Sequence, residues 1–177
     1  ADKVAGLPPG EPGPDGVNVV RPSGLEDLAS LVGEARERRL PLWPRSSPTP
    51  RRHGMADGPG LAVDMSTMTE IRMVDRRNRV ALFEAGVTFG SLAEELRRKG
   101  LRPVMPLCPR ADKSVLSAYL EREATILPGF QWDLSDPLLC LEVVYGTGDA
   151  FRTGSAAGPG EIEEQWSSGD MQKGPMG

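Results

Sequence analysis

Arg79-Val80-Ala81-Leu82-Phe83-Glu84-Ala85-Gly86-Val87-Thr88, followed by Phe89-Gly90-Ser91-Leu92-Ala93-Glu94-Glu95-Leu96-Arg97-Arg98-Lys99-Gly100, is the stretch on which the fold turns. Residues 79–84 form a β-prone run. The polar turn Asp75-Arg76-Arg77-Asn78, of hairpin length, separates it from a second such run at 71–74, so the spacing predicts a hairpin. Thr88 then stands where a helix cap belongs, and Phe89, Leu92, Ala93 and Leu96 recur at helical spacing. Arg97, Arg98 and Lys99 place cations at the negative end of that helix, and Gly100 supplies a left-handed stop.

Upstream, residues 17–20 make a short β-prone run, and Arg21-Pro22-Ser23 leads into a second helix. Its apolar face is Leu25, Leu28, Leu31, Val32 and Ala35; Ser23 and Glu26 have capping-box spacing, and the helix is expected to end near Arg39. A strand at 40–43, an irregular Pro, Ser, Arg and Gly-rich stretch at 44–60 and an apolar run at 61–64 complete a β-α-β unit with an elaborate connection. Downstream, a shorter helix is expected over 113–122, and a long apolar run at 138–145 ends in Gly146-Thr147-Gly148-Asp149, with 150–153 returning as a hairpin partner. The class is α+β with mixed sheets.

Composition narrows the function. The 177 residues hold one domain or two small subdomains sharing a cleft, too little for a cofactor domain plus a substrate domain. A net charge of −4 offers no general attraction to nucleic acid, and no apolar run approaches the length that spans a bilayer. Cys108 and Cys140 lie far apart with no second sulfur or histidine at metal-ligand spacing, which argues against a disulfide framework or a zinc site and for a reducing, cytoplasmic setting. Glycine (21) and proline (17) exceed a fifth of the chain, so many turns are required. Much of that share falls in residues 1–16, expected to be a flexible leader, and in 155–177, expected to be a loop or disordered tail. Between them the expected subdomains are 17–68 and 69–154.

Four ordered stretches resemble the FAD-binding domain of the vanillyl-alcohol oxidase and p-cresol methylhydroxylase superfamily, particularly its D-lactate and glycolate dehydrogenase-like branch. They are Val20-Arg21-Pro22-Ser23 with its helix, Leu42-Trp43-Pro44-Arg45, residues 79–88 with their helix, and Asp136-Pro137-Leu138-Leu139-Cys140-Leu141-Glu142-Val143-Val144 with the return to Arg152-Thr153-Gly154. The resemblance implies two small α/β subdomains with mixed sheets forming an FAD-binding cleft, incomplete at the C-terminus. It also implies FAD as cofactor and membership in a flavin-dependent oxidoreductase, one that oxidises a 2-hydroxy acid such as lactate or glycolate. A substrate domain or second subunit, and an electron-transfer protein, would be partners outside this chain, which alone is expected to be inactive.

In that family the loop after the second strand holds the FAD pyrophosphate with backbone N–H groups, which glycine presents most freely. The matching positions here are Pro44, Arg45, Ser46, Ser47, Pro48 and Thr49, so two serines and a proline replace the glycines. Pro48 and Pro50 lack an N–H, and each lost donor to a buried anion costs roughly 1 to 3 kcal/mol. Serine hydroxyls and the guanidinium groups of Arg45, Arg51 and Arg52 are the candidate replacements, solvated surface arginines the alternative. The family's second contact region maps to Leu107, Cys108 and Pro109 and to Ser114 and Val115, where glycines are again missing and Leu116 and Tyr119 are expected to pack as helix core. The missing glycines motivate a second reading, a flavin-free scaffold or interaction subunit that keeps the fold.

Other reactive residues read as structural. His53 is the only histidine and stands four residues past the position, Thr49, at which some relatives attach FAD, so it reads as a surface residue. Cys140 reads as a core thiol, Met65, Met68 and Met73 as core filling, and Glu161, Glu163 and Glu164 as a solvated acidic run. Catalytic side chains are not assignable within this chain.

Overall fold

A computed structural model of the chain describes residues 11–12, 17–47, 60–123, 137–154, 157, 162 and 164. The β-α-β unit is β2 (Asn18–Val20), α1 (Leu25–Glu37), β3 (Leu42–Arg45) and β4 (Leu61–Asp64). The strands are parallel, with β4 between β2 and β3 in the register Val20 to Val63 and Arg45 to Asp64. All four β4 residues are buried, as a strand covered on both faces requires. Val20, Leu31, Leu61 and Val63 form the core beneath α1. A further strand, β1 (Glu11–Pro12), lies within the stretch read as a leader and pairs antiparallel with β2, making the sheet mixed.

Two expectations shift here. The strand expected at 40–43 runs two residues further along, taking in Pro44 and Arg45, which the sequence placed in the irregular loop. Pro44 is tolerated because β3 is an edge strand, where a missing N–H interrupts no ladder on the outer side. The Ser23/Glu26 capping box does not form, because the helix starts one residue later than expected, with Gly24 as N-cap. Asp27 therefore takes the third helical position and accepts hydrogen bonds from both Ser23 N (2.8 Å) and Ser23 Oγ (3.2 Å).

The second unit opens with the expected hairpin, β5 (Ile71–Asp75) and β6 (Val80–Phe83). The Asp75 carboxylate holds its turn by accepting from the backbone N–H groups of Arg77 and Asn78. Helix α2 (Phe89–Arg98) is capped by Thr88, which exchanges hydrogen bonds with Ser91. Helix α3 (Val115–Leu120) is shorter than expected and capped by Ser114. Val87, Phe89, Leu92, Leu96, Val115 and Ala118 pack together as the second core, with Tyr119 edge-on to Phe89 at 5.9 Å. The expected long strand at 138–145 reduces to β7 (Glu142–Val144), paired with β8 (Ala150–Arg152). In the stretch read as a tail, Ile162 is buried.

Gly86 joins the two units. Its N–H donates to Met68 O (2.8 Å), and a Cβ there would lie 2.5 Å from Met65 O and 2.6 Å from Met68 O. Only a residue without a side chain lets the second unit press against the turn that leaves the first sheet.

Candidate functional site

Because β2, β4 and β3 are parallel, their carboxyl ends lie along one edge, where open α/β sheets bind ligands. That edge carries Arg21, Asp64 and Arg45. Asp64 is buried, and its Oδ2 accepts from Arg45 (3.2 Å) and from Arg21 Nε (3.3 Å), while Oδ1 accepts from Ser66 N (3.2 Å). Burial alone would push its carboxyl up, but the Ser66 hydrogen bonds and the Arg45 charge outweigh it and hold Asp64 below the ordinary carboxylate range. Two guanidinium groups thus meet one buried carboxylate at this edge. Neither Arg21 nor Asp64 was singled out as a site residue in the sequence; the available signal was an acidic residue closing an otherwise apolar strand, Leu61-Ala62-Val63-Asp64.

Ser46 and Ser47 follow β3 directly, and both are half-buried. The Ser114 backbone N–H donates to Ser47 Oγ at 2.8 Å, across 67 residues of sequence, so the two candidate contact regions meet at this bond. Ser114 is fully buried; its own Oγ donates to Ala85 O (2.7 Å) and accepts from Ser117 N (3.2 Å). Val115 N donates to Val87 O (3.0 Å) and Phe89 N to Lys113 O (3.0 Å), which staples the approach to α3 alongside the start of α2. Lys113 is tied to Glu121 (2.7 Å) and Glu123. Burial disfavours its charge, but the two carboxylates prevail and raise its pKa.

Three described candidates fall outside this cluster. Leu107, Cys108 and Pro109 are exposed on the loop before α3, and among the described residues no hydrogen bond ties them to Ser47 or Ser114. Pro48, Thr49, Arg51, Arg52 and His53 lie outside the described residues. Leu116 and Tyr119 line a cavity, and burial pushes the Tyr119 hydroxyl up to about 12. Cys140, expected in the core, is only half-buried; burial together with the Glu142 charge raises its thiol pKa. Among the described residues no cluster of His, Cys, Asp and Glu could hold a metal, and no helix is long and apolar enough to cross a membrane.

The cavity, about 920 Å³, opens between α1, the β5–β6 hairpin, α3 and residues 137–144 and is predominantly apolar. It reaches β3 at Pro44.

The model of the FAD-binding domain family matches residues 17–154, well over half of the chain. The chain belongs to this family. It is 28% identical over 142 residues to a D-lactate dehydrogenase of Archaeoglobus fulgidus, covering 77% of this chain and 30% of that protein. It is 27% identical over 139 residues to a glycolate oxidase subunit of Bacillus subtilis, covering 77% and 29%. Among solved structures, p-cresol methylhydroxylase with substrate bound superposes with a TM-score of 0.68 and 26% identity, over 84% of this chain and 29% of that one. The 6-hydroxy-D-nicotine oxidase of Arthrobacter nicotinovorans, at 23% identity and a TM-score of 0.64, shares the fold. The chain thus spans about 30% of the length of these relatives.

The cofactor of the family is FAD, and the residues present suit it. A dinucleotide carries an anionic middle between largely apolar rings. The Arg45 edge with its serines, rich in hydrogen-bond donors, suits the first, and the apolar cavity beginning at Pro44 has a volume typical of large-ligand sites and suits the second.

Proposed function

We propose that this chain is the N-terminal part of the FAD-binding domain of a flavin-dependent oxidoreductase that oxidises a 2-hydroxy acid such as lactate or glycolate. The observation that carries the reading is the meeting of Ser47 and Ser114 beside the Arg45 edge, within a chain whose family binds FAD. The named relatives that act on lactate and glycolate motivate the substrate class. Bound FAD supplies the redox chemistry. The chain's own residues hold the anionic end: Ser46 offers a hydroxyl group, the Ser114 backbone N–H that Ser47 faces offers a donor, and Arg45, oriented by Asp64, offers a guanidinium fork. Pro48, Thr49, Leu107, Cys108, Pro109 and Val115 complete the proposed contact set. The acid would bind against a substrate domain or second subunit beyond this chain, with an electron-transfer protein as acceptor. Two free thiols, Cys108 exposed, support a cytoplasmic setting.

The test is to purify the protein with its partner segments, titrate FAD, and add D-lactate or glycolate anaerobically. Visible flavin absorbance that bleaches with either acid is the expected result. Failure to take up FAD would leave the flavin-free scaffold reading standing, which the replacement of the loop glycines by Ser46, Ser47 and Pro48 motivates.

A further inference from the structure

The Ser47–Ser114 bond has a cost for any anion entering between the two units. Ser114 is fully buried and its backbone N–H is already used, at 2.8 Å, by an uncharged hydroxyl on the half-buried loop that follows β3. The neighbouring donors are committed as well, Val115 N to Val87 O and Ser117 N to Ser114 Oγ, a buried hydroxyl itself held by Ala85 O, so of these Ser114 N–H is the donor whose partner is a half-buried side chain able to leave. A serine has three staggered rotamers, and rotation about one bond withdraws its oxygen without moving the backbone. A glycine at this position would have no oxygen to offer and would leave the donor open.

We propose that Ser47 is a built-in competitor for the cofactor: its hydroxyl occupies the Ser114 N–H as a stand-in for a phosphate oxygen and must turn away before the FAD pyrophosphate takes that donor. This rests on the FAD-binding reading above and adds to it a reason for a serine where glycine would serve the phosphate better. The contact also stabilises the empty protein, because a buried N–H left without a partner is unfavourable. The device therefore sets the two states against each other: whatever removes the hydroxyl weakens the empty form and favours the loaded one.

The experiment is FAD titration, by flavin fluorescence, of the wild-type protein and of Ser47→Ala and Ser47→Gly, with thermal midpoints measured without FAD. A competitor predicts that Ser47→Ala binds FAD about fivefold more tightly or better, the net worth of one hydrogen bond, while its FAD-free midpoint falls. Ser47→Gly is expected to tighten binding likewise, and Ser47→Thr, which keeps the hydroxyl, to bind as wild type. Equal or weaker binding by Ser47→Ala, with wild type still binding FAD, overturns the competitor and leaves the FAD reading intact. Absence of FAD binding in wild type and every variant overturns both.

Discussion

Arg39, Arg79 and Arg122 are held at positive φ, near 54°, 58° and 54°, where an L-residue is strained. Arg39 and Arg122 share a cause. Each follows a helix C-cap and closes a Schellman motif: Arg39 N donates to Arg36 O and Leu40 N to Ala35 O, and Arg122 N donates to Tyr119 O and Glu123 N to Ala118 O. Gly100 occupies the same place after α2, with φ of 72°. Helices α1, α2 and α3 end alike, but of these α2 alone ends on the residue the geometry prefers. Arg39→Gly and Arg122→Gly are each expected to raise stability by about 0.5–1 kcal/mol, strain relief exceeding the added freedom of the unfolded chain. Urea midpoints at unchanged slope check this; a lower midpoint in both variants would contradict it.

Among the elements, α2 was the most readable because every local signal agreed: cap, apolar face, basic end and glycine stop all fall where the structure has them. Thr88→Ala removes the hydroxyl that accepts from Ser91 N and is expected to cost about 1 kcal/mol, read as a loss of thermal midpoint that Thr88→Ser largely restores. The strands were less readable. The boundaries of β3 depend on its pairing with β4 and on its edge position, which no local propensity encodes. The same pairing brings Arg45 opposite Asp64 and so creates the polar edge. Since the Asp64 pKa is depressed in the folded state, its contribution is fully present above the ordinary value of 3.8 and is lost as pH falls through the folded value. Asp64→Asn is therefore expected to be less stable than wild type at neutral pH, with the gap closing as the pH is lowered below about 4. Thermal midpoints against pH test it, and a gap independent of pH would rule the account out.

At the scale of the molecule, the two units press together at Gly86. Gly86→Ala forces a methyl against three backbone carbonyls, of Met65, Ser66 and Met68, that cannot move without shifting the turn. The expected cost is about 2–4 kcal/mol, with FAD affinity lost in parallel because the seam between Ser47 and Ser114 would open. Equilibrium unfolding measures the first and flavin fluorescence the second; a variant of wild-type stability would show that the packing is looser than the distances imply.

Local order is written in the residues themselves. Helix faces, the Thr88 cap, the 75–78 turn and the succession of strands from β2 onward follow from spacing and residue type within a dozen positions, and the resemblance of four such stretches led to the family. Tertiary structure alone decided which polar groups face one another. Ser47 reaches Ser114 across 67 residues and Arg21 reaches Asp64 across 43, because parallel pairing and the close approach at Gly86 bring those backbones together. Whether a serine near a phosphate loop donates, accepts or competes depends on which N–H lies within 3 Å of it, and that distance exists only once the two units are packed.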